Sequence, residues 1–183
     1  MLKYGILGLL NYKDLTGYEI NASFHDSLSF FWNASKSQIY RELNKMEKEG
    51  LVSSSLIKGN GKPDKKVMSI TSKGKEELTN FLKTKTPLFS RSPLLLQVFF
   101  MASLNKEERI DYFSCLIEES KKSLSSLSKA SSLIKEYSSY IDLKNNDPMY
   151  WGFTLEYGIL MEKTILSWAS SCLERIKNES SLD

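Results

Sequence analysis

The chain of 183 residues has little of what covalent, metal or acid–base chemistry requires. It contains two cysteines, Cys115 and Cys172, and one histidine, His25. Two cysteines far apart form neither a disulfide framework nor a zinc ligand set, which favours a reducing cytoplasm and predicts neither a metal nor a cofactor. One histidine supplies no Ser-His-Asp or Cys-His set, and the glutamate pairs are helix-surface neighbours. We therefore expect a protein that is not an enzyme.

Long apolar runs are also missing. No segment approaches the roughly 18 uninterrupted apolar residues of a membrane-spanning helix, so no membrane partner is expected. The N-terminal stretch MLKYGILGLLNYKD has a brief apolar part with no small-residue cleavage site after it, which predicts a core helix and not a signal peptide. Apolar content of 41% and charged content of 26% are typical of a folded chain and exclude disorder throughout.

The charges are distributed unevenly along the chain. Residues 1–85 hold 14 Lys and Arg against 9 Asp and Glu, whereas residues 86–183 hold 11 against 13. A basic half joined to a mildly acidic half predicts a module that binds a polyanion and a second module that does not. Thr86-Pro87, reinforced by Pro93, marks the boundary, so we predict two domains, residues 1–85 and 86–183.

Two helix starts and one helix end stand out in the first domain. Thr16 with Glu19, and Ser35 with Gln38, fit the capping box, in which a hydroxyl residue and a Glu or Gln three positions later cap each other's backbone. Gly50 stands where a C-terminal helix cap is expected. These signals predict a short second helix and a third helix of about four turns.

After Gly50 the pattern changes from helical to extended. Residues 51–57 and 66–70 predict two short strands, separated by a loop with the Asn60-Gly61 turn signal, and Thr71 then caps another helix. Three helices followed by a hairpin with a basic tip is the order of a winged helix-turn-helix. We therefore predict a mainly α fold with a small β-hairpin and an N-terminal DNA-binding domain.

The third helix has an apolar side and a polar side. Ile39, Leu43 and Met46 cluster on one side and should face the core. Arginine can bridge guanine O6 and N7, and Gln or Asn can bridge adenine N6 and N7, so the other side has the groups that read a major groove. A solvated polar face is the alternative. The outward side chains are Ser37, Arg41, Asn44, Lys45 and Lys48, with Gln38 and Tyr40 on the flanks.

The loop of the predicted hairpin is rich in lysine and glycine. Its glycines allow the backbone to approach a sugar-phosphate strand, and each phosphate neutralised by a lysine releases counterions. An ordinary lysine-rich turn is the alternative, and the spacing does not fit a nucleotide-binding loop. The predicted phosphate contacts of this wing are Lys58, Lys62, Lys65 and Lys66.

The second domain is predicted to consist of long helices. A helix from Asn105 to about Ile141 keeps apolar residues at alternating steps of three and four, apart from serines at positions 120, 131 and 138. A last helix from Met149 to about Lys177 is apolar on more than one face. A single chain of this size can hardly bury so much apolar surface, so a partner helix from a second copy is expected. An intramolecular hairpin fits the stripe equally well.

Several motifs together resemble the PadR family of bacterial transcriptional regulators. The resemblance covers about residues 2–85, and the second domain is similar in architecture to the dimerising helices of larger members. It implies a homodimeric repressor that binds an inverted-repeat operator in double-stranded DNA, with Ser35, Ser37 and Tyr40 on phosphates and Lys36, Gln38 and Arg41 nearest the bases. The motifs are Lys3-Tyr4-Gly5-Ile6-Leu7-Gly8-Leu9-Leu10, Leu15-Thr16-Gly17-Tyr18-Glu19-Ile20, Phe31-Trp32, Ser37-Gln38-Ile39-Tyr40-Arg41-Glu42-Leu43, Glu49-Gly50-Leu51-Val52, Gly61-Lys62-Pro63-Asp64-Lys65-Lys66-Val67 and Ile70-Thr71-Ser72-Lys73-Gly74.

The resemblance also implies a small aromatic effector near a dimer interface. The second domain is rich in aromatic residues that can line such a pocket or simply form the core between two copies. Two other functions compete with DNA binding: a winged-helix adaptor that docks another protein, and a small-molecule sensor that binds no DNA. The aromatic residues concerned are Tyr150, Trp151, Phe153, Tyr157 and Trp168.

Overall fold

The first half of the chain folds as four helices around a small sheet. A computed structural model describes residues 1–29, 31–58, 64–86, 91–140 and 146–179. The chain divides into two compact units, Met1–Pro87 and Leu88–Asp183. The elements of the first unit are α1 (Leu2–Tyr12), β1 (Leu15–Thr16), α2 (Gly17–Ser27), α3 (Lys36–Lys48), β2 (Val52–Ile57), β3 (Lys65–Ile70) and α4 (Ser72–Lys83).

The sheet has the antiparallel order β1-β3-β2. The β2–β3 register runs from Val52 opposite Ile70 to Ile57 opposite Lys65, which confirms the predicted hairpin. β1 was not predicted, because a two-residue strand is too short to show an alternating pattern. It pairs with β3 immediately before α2 begins and so joins the start of α2 to the root of the wing.

The core of this unit lies between the helices and the inner face of the sheet. Both predicted capping boxes are present, at Thr16 and at Ser35, so α2 and α3 begin where the sequence placed them. The largest side chain that is fully buried is Phe24. The other buried apolar residues of this core are Ile6, Leu7, Leu10, Leu15, Ile20, Ala34, Ile39, Leu43, Met46, Leu51, Val52 and Met68.

Helix α4 is tied to α1 by an aromatic stack and an ion pair. The Tyr4 and Phe81 rings are nearly parallel, with their centroids 3.9 Å apart. Lys3 Nζ lies 2.6 Å from Glu77 Oε1, which also accepts a hydrogen bond from the Tyr4 hydroxyl. The hydrogen bond from Lys3 and then that from Tyr4 lower the pKa of Glu77. These contacts hold α4, the last helix of the first unit, against α1.

The second unit is built on a long helical hairpin. It contains α5 (Pro93–Phe99), a 3-10 turn at Met101–Ser103, α6 (Lys106–Tyr140) and α7 (Asp147–Lys177). Contacts at three levels show that α6 and α7 are antiparallel: Lys106 Nζ donates to the carbonyl of Lys177, the Phe113 and Trp168 rings are 5.8 Å apart, and Leu127 packs beside Gly158.

The intramolecular hairpin that the sequence left open is therefore formed. Its open end, where α6 begins and α7 ends, has a small core of Met101, Phe113 and Ala169, with Trp168 and Leu173 packed against it. Within the described part of the chain, no helix combines the length and the apolar character needed to cross a membrane.

Candidate nucleic-acid interface

Helix α3 separates its apolar and polar side chains as predicted. Ile39, Leu43 and Met46 are buried in the core of the first unit, which leaves the opposite side of the helix in solvent. The structure thereby places the polar residues predicted for α3 on one exposed surface. They are Ser35, Lys36, Ser37, Gln38, Tyr40, Arg41, Asn44 and Lys45.

The N-terminal end of α3 is held by its own capping box. The Ser35 hydroxyl accepts the backbone N–H of Gln38, and Gln38 Oε1 accepts the backbone N–H of Ser35 at 2.8 Å. The hydroxyls of Ser35 and Ser37 lie 3.0 Å apart. Because its carbonyl oxygen is used in the cap, Gln38 offers its NH₂ group outward. The two-bond contact with adenine that the sequence suggested would require this side chain to leave the cap.

Tyr40 is positioned by a close approach between α3 and the start of α2. A Cβ atom built on Gly17 would lie 2.9 Å from Cε1 of the Tyr40 ring and 3.3 Å from its hydroxyl oxygen. The Lys36 ammonium lies 5.9 Å from the centroid of the same ring. The absence of a side chain at Gly17 therefore makes room for Tyr40. The sequence places a glycine at the first residue of a capped helix, which is a signal of close approach there. It does not identify Tyr40 as the residue that approaches.

We expect Gly17→Ala to weaken DNA binding and to leave the unit folded. The three atoms nearest to the added methyl all belong to the exposed Tyr40 side chain, so Tyr40 moves and the backbone stays in place. The family resemblance implies that the Tyr40 hydroxyl holds a phosphate, and loss of that one hydrogen bond predicts a fall in affinity of roughly tenfold or less. Fluorescence anisotropy with a labelled duplex measures it, and Tyr40→Phe, which removes only the hydroxyl, is the matched control. An unchanged affinity in both variants would remove Tyr40 from the interface.

The lysines predicted for the wing do not all have the same surroundings. Lys58, Lys65 and Lys66 are exposed, whereas Lys62 lies outside the described residues. Lys66 Nζ is 2.8 Å from Glu47 Oε2 on α3. Lys45 also has a carboxylate neighbour, Glu49 on the next turn, at 3.8 Å. Lys66 is therefore already neutralised within the protein, a pairing that the sequence gave no means of predicting.

Lys65 faces a different part of the first unit. Successive residues of a strand point to opposite faces, so Lys65 projects away from the side on which Lys66 meets α3. Its charge acts on Glu19 at the start of α2, where hydrogen bonds from Thr16 are the main cause of a lowered pKa of Glu19 and Lys65 adds to the effect. The side chain of Lys65 is exposed, and none of the ion pairs among the described residues includes it.

The five aromatic residues predicted for a ligand or dimer site do not form one group. Trp168 packs edge-on against Phe113 in the core of the second unit, and 17 residues of helix, about 25 Å, separate it from Trp151. Trp151 is half-buried. The side chains of Tyr150, Phe153 and Tyr157 stand exposed, and the first two rings meet edge to face at 5.7 Å.

The second unit exposes apolar surface in two places. A stripe on α7 has steps of three and four residues and consists of Tyr150, Phe153, Tyr157, Leu160 and Met161, with Tyr157 66% exposed. Helix α5 and the residue after it add a second exposed apolar surface: Leu95, Leu96, Phe99 and Phe100. An open groove of about 480 Å³ lies on α7 beside the stripe, lined by Leu160, Lys163, Thr164, Ser167, Trp168 and Ser171.

No metal chemistry is indicated within the described ranges. They contain no group of three or more His, Cys, Asp or Glu residues arranged to hold a metal ion. The described part of α3 and the wing thus offers hydroxyl, amide, guanidinium and ammonium groups on a solvent-facing surface. This chemistry suits the recognition of phosphates and base edges.

Comparisons with known proteins agree with this geometry. The family described as "Transcriptional regulator PadR-like family" matches residues 6–80, and "Virulence activator alpha C-term" matches residues 90–177. The negative transcriptional regulator PadR of Bacillus subtilis is 30% identical over 181 residues, which span 98% of this chain and 99% of that protein.

Solved structures match over nearly the whole chain. Bacillus subtilis PadR in complex with operator DNA is 32% identical, with a TM-score of 0.75 over 96% of this chain and 98% of that chain. The same protein in complex with p-coumaric acid has a TM-score of 0.72 at 30% identity over 98% and 96% of the two chains. The Vibrio cholerae virulence activator AphA has a TM-score of 0.79 at 26% identity, covering 98% and 100%. The chain belongs to the PadR family of transcriptional regulators.

Proposed function

We propose that this protein is a sequence-specific regulator that binds double-stranded DNA as a homodimer and represses transcription from an inverted-repeat operator in the cytoplasm. The observation that carries the proposal is the exposed polar side of α3, on which the residues predicted for recognition lie together. Lys58 and Lys65 of the hairpin are exposed in the same unit. The proposal is supported by the similarity to Bacillus subtilis PadR, which was solved with operator DNA and matches this chain over both units.

In this proposal α3 enters the major groove by its N-terminal half. Arg41 forms the bidentate contact with guanine, and Lys36 and Asn44 reach neighbouring base edges. The hydroxyls of Ser35, Ser37 and Tyr40 hold phosphates, which sets the register of the helix along the duplex. Lys58, Lys62 and Lys65 of the wing add contacts with phosphates that carry no sequence information.

The homodimer is proposed from the exposed apolar stripe on α7. Apolar patches of this extent are rare on monomers and are typical of interfaces. Packing the stripe against the same stripe of a second copy buries it and gives a two-fold axis. Two-fold symmetry of the protein then predicts two half-sites related by inversion, with centres about 10 base pairs or a multiple of this apart.

Repression and an aromatic effector are proposed from the relatives. The Bacillus subtilis relative is a negative regulator and has been solved with p-coumaric acid. We propose that a small aromatic acid also binds this protein and changes its affinity for DNA. Tryptophan fluorescence titrated with phenolic acids tests this, since Trp151 and Trp168 both lie in the second unit. If the fluorescence does not change with added phenolic acid, the aromatic residues have a purely structural role.

The salt dependence of binding tests the DNA-binding proposal. The purified protein is titrated onto a labelled mixed-sequence duplex at several salt concentrations. A protein that neutralises phosphates shows a steep linear fall of log K with log salt, with a slope of about −0.9 for each phosphate. A shallow slope would favour an adaptor that docks another protein. Tight binding of an effector with no duplex bound would favour a sensor without DNA activity.

Two substitutions separate base reading from phosphate binding. We expect Arg41→Ala to cost roughly 1–3 kcal/mol on a selected operator and to relax the preference at one base pair. Lys65→Gln should weaken binding evenly across sequences and make the salt slope shallower by about 0.9 for each chain bound. Competition between selected and random duplexes measures both effects. Unaltered binding by both variants would contradict the assigned surface.

A further inference from the structure

Three elements of the first unit meet at one carboxylate near the wing. Glu47, on the last turn of α3, accepts a short hydrogen bond from the Ser54 hydroxyl on β2 and a 2.8 Å charge-assisted hydrogen bond from Lys66 on β3. Ser54 and Lys66 lie on the same face of the hairpin, because Ser54 is opposite Met68 in the register and Lys66 is two residues from Met68. We call these three residues the brace.

The brace lies where the wing leaves the core. Met68 is buried, whereas Lys66 and its cross-strand partner Leu56 are exposed. Beyond this point, no apolar core holds the described ends of β2 and β3. The carboxylate of Glu47 therefore joins the outer part of the hairpin to α3. Its hydrogen bonds, first from Lys66 and then from Ser54, lower the pKa of Glu47, which keeps it ionised at neutral pH.

We propose that Glu47 is a positioning residue that fixes the wing relative to α3, and that Lys66 belongs to this brace and does not bind a phosphate. The inference rests on the proposed DNA-binding function. It separates wing lysines that bind phosphates from a wing lysine that is paired within the protein. Lys65 and Lys66 are neighbours with the same charge, but only Lys66 is neutralised by a carboxylate 2.8 Å away. A lysine that keeps its carboxylate partner displaces no counterion from DNA, so Lys66 contributes nothing to the salt slope.

Hydrogen exchange on the free protein tests the brace without DNA. We expect Glu47→Gln to raise the exchange of amides in residues 54–57 and 65–67 roughly two- to fivefold, the range expected for loss of an exposed charged contact. Glu49→Gln is the matched control, because the ion pair of its carboxylate within the described residues is with Lys45 on its own helix, at 3.8 Å. The double variant Glu47→Gln/Lys66→Gln should exchange no faster than either single variant, since both remove one interaction. Equal exchange in the Glu47→Gln and Glu49→Gln variants would overturn the brace.

The salt slope of duplex binding tests the role of Lys66. We expect Lys65→Gln to make the slope shallower by about 0.9 per chain and Lys66→Gln to leave it unchanged. A decrease in both variants would overturn the inference about Lys66 and leave the proposed DNA binding intact. Failure of the wild-type protein to bind any duplex would refute the proposed function, and the exchange measurement alone would then decide whether the brace exists.

Discussion

We expect Gly74→Ala to lower the free energy of unfolding of the first unit by about 3 kcal/mol, at the upper end of the range for overpacked positions. Gly74 is buried at the start of α4, and a Cβ atom there would lie 2.2 Å from the Leu51 carbonyl oxygen and 2.9 Å from Cγ1 of Ile70. The carbonyl cannot move away without breaking hydrogen bonds, because it accepts from both the backbone N–H and the hydroxyl of Thr71. Either α4 or the residue that begins the wing must therefore move.

Gly8→Ala is the matched control for this substitution. Gly8 lies inside α1, and a Cβ atom there meets no atom within 4 Å. Replacing a helical glycine at such a site should stabilise the unit by about 0.5–1 kcal/mol. Urea unfolding followed by Trp32 fluorescence, in a background with Trp151 and Trp168 changed to Phe, reports on the first unit alone. A Gly74→Ala protein as stable as its parent would contradict the packing described here.

Phe153→Glu with Tyr157→Glu should split the proposed homodimer and abolish its proposed tight binding to an operator. Both side chains stand in the middle of the exposed stripe on α7, where burial of two carboxylates against a second copy is strongly unfavourable. A monomer has one recognition helix and loses the gain from joining two binding units, which predicts a loss of affinity of about 10²–10⁴. Sedimentation equilibrium and duplex binding measure the two effects.

Ser170→Glu controls for the added charge. Ser170 is also exposed on α7, but at 100° per residue it lies far around the helix from Phe153 and Tyr157. We expect this variant to keep the mass of the dimer and its affinity for the operator. If the wild-type protein sediments as a monomer, or the double variant remains a dimer, the stripe does not form the interface.

Sequence patterns predicted the features of the first unit that depend on neighbouring residues. The capping boxes at Thr16 and Ser35 were predictable because each cap needs only residues three positions apart. The buried side of α3 was predictable because its period is that of the helix. These local rules were enough to place the polar side of α3 in solvent, and with it the candidate site.

The contacts that the sequence did not predict join residues distant in the chain. The approach of Tyr40 to Gly17 depends on how α2 and α3 cross. The pairing of Lys66 with Glu47 depends on the register of the hairpin, and the length of its loop does not by itself determine that register. In the second unit, α7 is apolar on more than one face. The sequence could not tell that Trp168 packs against Phe113 within the hairpin while Tyr157 remains exposed.

Selection of bound duplexes from a random pool tests the central claim most directly. If two copies present their α3 helices to one duplex, sequencing should return an inverted repeat whose half-site centres are about 10 base pairs, or a multiple of this, apart. Repeating the selection with Arg41→Ala should keep the inverted symmetry of the selected sequences and weaken the base preference at one position in each half-site. A pool that returns no enriched sequence, or a single site without a symmetric partner, would contradict the account.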